Sequence, residues 1–411
     1  MYIERDGISE DEVNRAFKEC FGGGGVRKVL LVPPDDTRSH SGAGMITFML
    51  YKLFTSVDAA VDIMPAIGTH VPMTEERLRA FFGEIPTDFL THNWRDGVSF
   101  VGEIPGDFVR GVSEGLMDSP IPVEVSSLLL DASYDLILSI GQVVPHEVAG
   151  MANYSKNILV GCGGSRFISS SHMLGAFYGI ERILGTVDTP VRKLFDYAEE
   201  RFLAGLPLVY VLTVTETIGG ETRMRGLYIG GGREGFERAA ALSQKCNITK
   251  VEKPIETCVV WLSDREFHST WLGNKAIYRT RKAICDGGRL IILAPGVREF
   301  GEDAEIDRLI RKYGYVGRES VLSLCKTEGE LQNNLSAAAH LIHGSSDGRF
   351  EITYAAPFLG REAVEGVGYK YADLTELLRK YNPETLKIGY NALLSGEEIY
   401  YIPNPAVGLW F

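Results

Sequence analysis

The chain has no run of the ~18 consecutive apolar residues that a membrane-spanning helix needs. Its first dozen residues are charged and carry no apolar stretch, so no secretory signal is expected. Cysteine is sparse. Cys20, Cys162, Cys246, Cys258, Cys285 and Cys325 are scattered, with no C-x-x-C pair, which excludes a zinc framework and a disulfide scaffold. Reduced thiols and a cytoplasmic location are expected. Only eight histidines occur, without H-E-x-x-H, H-x-H or an Asp-rich cation loop, so spacing alone assigns no metal. Positive charge is also short. There are 42 basic residues against 54 acidic ones, a net charge of −12. That balance argues against nucleic acid or an anionic membrane as partner. If the ligand is an anion, a few cations must be focused on it.

What is present describes a folded protein. Its 411 residues suggest two or three domains at ~150 residues each. Apolar residues make up 45% and charged residues 23%, an ordinary globular balance. Short β-rich runs at 28–32 (KVLLV), 60–65, 136–140 and 208–213 alternate with helical stretches at 45–55, 74–82, 191–203 and 233–246. A second block repeats the alternation. Strands are expected at 258–262, 289–294 and 350–354, and helices at 274–285, 303–313, 328–340 and 374–381. The pattern predicts an α/β fold of two domains with mixed, mainly parallel sheets. The larger N-terminal domain would cover 1–250 and be rejoined by 390–411. A smaller C-terminal lid would cover 251–389, with the active site in the cleft.

Three histidines sit where α/β proteins place function, at the carboxyl ends of expected strands beside Gly or Pro. They are His70 in GTHVPMT, His92 in THNWRD and His146 in PHEVAG, while His172 closes the run Ser169-Ser170-Ser171. Asp35-Asp36-Thr37-Arg38 directly follows the first strand. A hydroxyl and a guanidinium there can hold a phosphate or carboxylate, and the same residues serve equally as a helix cap and surface ion pair. Gly161 to Arg166 is a glycine-rich turn, either an anion cradle or an ordinary loop. Residue types alone leave two readings open. One is a metal-dependent hydrolase or lyase using His70, His92 and His146 on a divalent ion. The other is a non-catalytic two-domain protein that binds a small anion.

Taken in order, these motifs resemble the nickel-pincer-nucleotide-dependent lactate racemase family. The matching set is D-x-T-R after a strand (Asp35, Thr37, Arg38), GTH-x-PMT (His70) and PHEVAG-(x)5-K (His146 to Lys156). It continues with a histidine sixteen residues on (His172) and a lysine-bearing helix ending in D-G-G (Lys275 to Gly288). The resemblance implies an isomerase, a racemase or epimerase of a small 2-hydroxy acid acting by hydride removal and return at the α-carbon. It implies a cofactor, the nickel complex of pyridinium-3,5-bisthiocarboxylic acid mononucleotide, made by separate biosynthetic proteins. Lys156 would tie that cofactor and His172 would be the one protein ligand to Ni(II). His70 and His146 would be the acid/base pair. Asp35, Thr37 and Arg38 would contact the cofactor, and Arg38 and Lys275 would hold the substrate carboxylate or the cofactor.

The chain also departs from the family pattern. Leu272 stands where the lactate enzymes carry a glutamine in Q-x-x-K. Met151-Ala152-Asn153-Tyr154-Ser155 replaces a glycine-rich stretch before the lysine. A different 2-hydroxy acid, larger or sugar-derived, is the expected substrate.

Overall fold

A computed structural model describes residues 1–218 and 220–411. The chain divides into two compact units, Met1–Leu174 with Arg182–Asn247, and Gly175–Glu181 with Ile248–Phe411.

The first unit is built on a six-stranded sheet. Its strands are β1 (Tyr2–Glu4), β2 (Lys28–Val32), β3 (Ala60–Ile63), β4 (Leu136–Gln142), β5 (Leu208–Ile218) and β6 (Glu221–Gly230), in the order β1-β6-β5-β4-β2-β3. The β5-β4-β2-β3 run is parallel, and β6 and β1 add antiparallel strands at one edge. Strand β2 is apolar from Val29 to Val32 because both of its faces are covered there. Leu30 and Val32 enter one core cluster with Leu194, Phe195 and Phe236. Val29 and Leu31 enter another with Val13, Phe17, Leu50 and Phe54. Helices therefore cover both faces: α1 (Glu10–Phe21) and α2 (Ala43–Thr55) on one side, α6 (Pro190–Phe202) and α7 (Arg233–Asn247) on the other.

Helix starts follow local chemistry. Ser9 and Glu12 form a reciprocal capping box on α1. Thr74 accepts from the Arg77 amide at the start of α3 (Glu75–Phe82), and Thr189 with Pro190 begins α6. Two more helices carry site residues, α4 (Ser155–Leu159) and α5 (Ser165–Tyr178).

The second unit has its own six-stranded sheet. The strands are β7 (Ile255–Trp261), β8 (Ile284–Leu293), β9 (Glu351–Ala355), β10 (Lys370–Tyr371), β11 (Gly389–Ala392) and β12 (Glu398–Ile402), ordered β10-β9-β8-β7-β12-β11. All neighbours are parallel except β11 against β12. Among the described residues no helix is long and apolar enough to cross a membrane.

The structure corrects two expectations. Residues 390–411 do not rejoin the first unit. Strand β12 pairs with β7 inside the second sheet, and Leu409–Trp410 pairs with Ile248–Thr249. The helix expected at 274–285 is also broken. Short helices at Thr270–Gly273 and Lys275–Tyr278 are followed by turns, and β8 already begins at Ile284. Arg279 donates to Gly408 O, and Arg281 donates to Ser345 O and pairs with Asp347 and Glu181.

Candidate active site

Three adjacent parallel strands, β4, β2 and β3, end at the same edge of the first sheet. The chain leaves β2 toward β3 on one side and later returns to β4 on the other. The carboxyl ends of β2 and β4 thus flank a topological switch point, where open α/β sheets bind ligands. A cavity of about 150 Å³ lies there, lined by Asp35, Arg38, His70, His146, Glu147 and Lys156 among others.

Asp35 follows β2 through Pro33-Pro34 and is 3% exposed. Burial alone would raise its pKa. The His70 charge and hydrogen bond, the Thr37 hydroxyl and Arg38 outweigh that and hold it at about 2. Its Oδ1 accepts from the Thr37 amide at 3.2 Å and the Thr37 hydroxyl at 2.5 Å. Its Oδ2 lies 2.5 Å from His70 Nδ1. An ionised carboxylate can only accept, so His70 Nδ1 carries a proton, and in the neutral form of the ring Nε2 keeps the lone pair. His70 is placed by the turn after β3, where the Ala66 amide bonds Pro33 O and the Gly68 amide bonds Gly161 O. Gly68 has φ +57, and a Cβ there would sit 3.3 Å from Val160 O.

His146 is held the opposite way. It sits in a two-stranded hairpin, Pro145–His146 against Gly150–Met151. Its Nδ1 accepts from the Val148 amide at 3.1 Å and the Ala149 amide at 3.4 Å. Backbone amides only donate, so the neutral ring carries its proton on Nε2. Burial pushes its pKa well below 6.5. Glu147 opposes the shift, and Lys156, Arg38 and His172 add to it. These groups therefore share one electrostatic neighbourhood.

Lys156 lies on α4. The helix is tied to the sheet by Asn157, whose amide donates to Val32 O at 3.1 Å and Ser139 Oγ at 3.0 Å. Burial first, then the Arg38 charge, lowers the Lys156 pKa to about 8, so a usable fraction of free amine exists near neutral pH. The loop before it is strained. Asn153 and Tyr154 have φ of +61 and +58, and Tyr154 has ψ −139. Asparagine tolerates such a backbone, whereas tyrosine there costs about 1–3 kcal/mol.

His172 projects from α5, and its Nδ1 donates to Ile168 O at 2.7 Å. Burial and then the Lys156 charge lower its pKa to about 4, leaving a neutral ring with Nε2 available. An imidazole fixed through Nδ1–H to a backbone carbonyl is the usual arrangement of a metal-ligating histidine.

Other expected residues have different surroundings. Thr37 gives its hydroxyl to Asp35. Asp36 forms an ion pair with Arg77, so the DDTR motif contains the expected cap and surface pair as well as cavity residues. His92 is buried and bonds Gly163 O at 3.0 Å, where it fastens the glycine-rich turn. Leu272 and Lys275 belong to the second unit. Lys275 is buried there, its Nζ 5.8 Å from the Phe267 ring centre. Sequence reasoning missed Glu147, Asn153 and Asn157. The signal for Asn157 was an amide next to the motif lysine.

Residues 9–181 match the lactate racemase N-terminal domain family. A lactate racemase from Thermoanaerobacterium thermosaccharolyticum is 25% identical over 176 residues, a match spanning 40% of this chain and 38% of that relative. Two solved structures share the fold over the full chain. A Thermotoga maritima protein superposes with TM-score 0.85 at 24% identity, over 100% of this chain and 99% of that one. The lactate racemase apoprotein from T. thermosaccharolyticum gives 0.72 at 18% identity, over 100% and 94%. Residues 9–181 are thus similar to the lactate racemase N-terminal domain family, and the fold of the whole chain is shared with that of the two solved structures.

Proposed function

We propose that this protein is a racemase or epimerase of a 2-hydroxy acid that works with a nickel-pincer nucleotide. The observation that carries the reading is the pair of imidazoles on one cavity, His70 with a free Nε2 lone pair and His146 with an Nε2–H. Lys156 and His172 fit the implied group. They offer one largely buried amine of lowered pKa and one imidazole with an open Nε2. Among the described residues no three His, Cys, Asp or Glu side chains converge on a possible metal position, so a metal held at His172 would bring its remaining ligands with it. When bound, the group supplies a reversible acceptor for the substrate's α-hydrogen.

The chain's own residues do the rest. Arg38 lines the cavity and has no ion pair among the described residues, so it is the cation that receives the substrate carboxylate. His70 Nε2 takes the proton of the 2-hydroxyl, and Asp35 stabilises the imidazolium that results. His146 donates a hydrogen bond through Nε2–H to the same oxygen, and the His70 imidazolium gives its proton back when the hydroxyl reforms.

The test uses protein loaded with the cofactor and an α-deuterated 2-hydroxy acid. Inversion with deuterium retained at the α-carbon is expected. Inversion with solvent exchange at that carbon would overturn the hydride route. A panel of lactate, malate, aromatic and sugar 2-hydroxy acids identifies the substrate.

A further inference from the structure

Arg192 is fully buried on α6, yet no carboxylate lies within ion-pairing distance of it among the described residues. A buried, unpaired guanidinium is an expensive way to fill space, so its donors should explain it. Nη1 donates to Ser155 Oγ at 2.8 Å. Nη2 donates to Met151 O at 2.7 Å and Asn153 O at 3.3 Å. All three acceptors lie in the five residues before Lys156, and two of them bracket Tyr154. Tyr154 is the non-glycine residue held at φ +58, ψ −139. Its ring stacks on Phe236 at 5.1 Å, and the Arg192 guanidinium lies 4.4 Å from the centre of that same Phe236 ring. The strained residue and its clamp share one aromatic support.

We infer that Arg192 is a positioning residue for Lys156, clamping loop 151–155 in a turn its own residues disfavour and so fixing where α4 begins. Where glycine would adopt this turn freely, this chain substitutes side chains and adds a clamp. The inference rests on the proposed function only for the use to which Lys156 is put.

The test needs neither cofactor nor substrate, so it can fail without the proposed function failing, and the converse. Amide hydrogen exchange is followed in the full-length apoprotein for residues 155–161, with helix α2 as internal reference. Arg192→Met is combined with Tyr154→Ala and, separately, with Tyr154→Gly. Both remove the ring and differ mainly in backbone freedom. With alanine, Arg192→Met should speed exchange at 155–161 by about tenfold while α2 is unchanged, and with glycine by less than about threefold. A residue that merely supports the core would not distinguish the two backgrounds. Equal acceleration in both, acceleration that includes α2, or none in either overturns the inference. If Arg192→Met does not fold, Arg192→Lys is read by the same contrast, since an ammonium cannot bracket Tyr154 from both sides.

Discussion

His70 and His146 are chemically identical side chains made different by what their Nδ1 atoms touch. One faces a carboxylate, the other two backbone amides. Nitrogen-15 spectra of histidine-labelled protein should show His146 neutral and protonated on Nε2 through the range in which an ordinary imidazole titrates, since burial holds its pKa well below 6.5. Replacing Asp35 by Asn removes the charge behind His70. In steady-state assays kcat should fall roughly 10²–10⁴-fold with little change in KM. The same carboxylate has a stability signature. Its folded pKa is about 2 against 3.8 for a free side chain. Its contribution, on the order of 2 kcal/mol, is therefore complete above pH 3.8 and disappears as pH falls through 2. Urea midpoints measured from pH 5 to 2 should drop more steeply for the native protein than for Asp35→Asn. His70, His92 and His146 stood out in the sequence by their place beside Gly or Pro after expected strands, whereas Lys156 and His172 were marked only by the family resemblance. The Asp35–His70 contact was not legible, because it joins positions 35 apart and Asp35 also reads as a cap.

Helix α4 depends on how strands β2 and β4 end. Gly141 has φ +148, and a Cβ there would lie 2.1 Å from Asn153 Nδ2, which bonds Ile140 O. Gly141→Ala should displace Asn153 and destabilise the protein by about 1–3 kcal/mol in urea titration, with a matching loss of cofactor loading at Lys156. Strands of continuous apolar sequence and helices with Ser or Thr caps were readable in advance, since period and capping are local. The break after Tyr278 was not. Residues 274–285 look helical by composition, and the carbonyls that Arg279 and Arg281 meet after the break, Gly408 O and Ser345 O, are distant in sequence. The β5–β6 hairpin widened the first sheet by antiparallel strands that an α/β alternation does not announce.

Each of the two units closes its own sheet. Because β12 lies inside the second sheet, between β7 and β11, removing residues 390–411 would leave β7 with an open edge and strip Ile248–Thr249 of its partner. Calorimetry of that truncation should show the second unit's transition lost and the first unit's preserved. The C-terminal pairing was illegible because a short strand can return to either of two sheets, and only register with Cys258–Val260 decides. At the same scale, the net charge of −12 repels a carboxylate at long range, so capture falls to local cations such as Arg38. The parallel run of β4, β2 and β3 has a final consequence, for what can vary. Neighbouring strands are about 4.8 Å apart, and successive residues advance about 3.3 Å along each. The strand ends that lead into Asp35, His70 and His146 are thus indexed by a lattice of backbone hydrogen bonds. Loops elsewhere can lengthen without moving them, but a one-residue slip of β2 would turn Asp35 to the opposite face and silence His70 while leaving every side chain in the sequence intact.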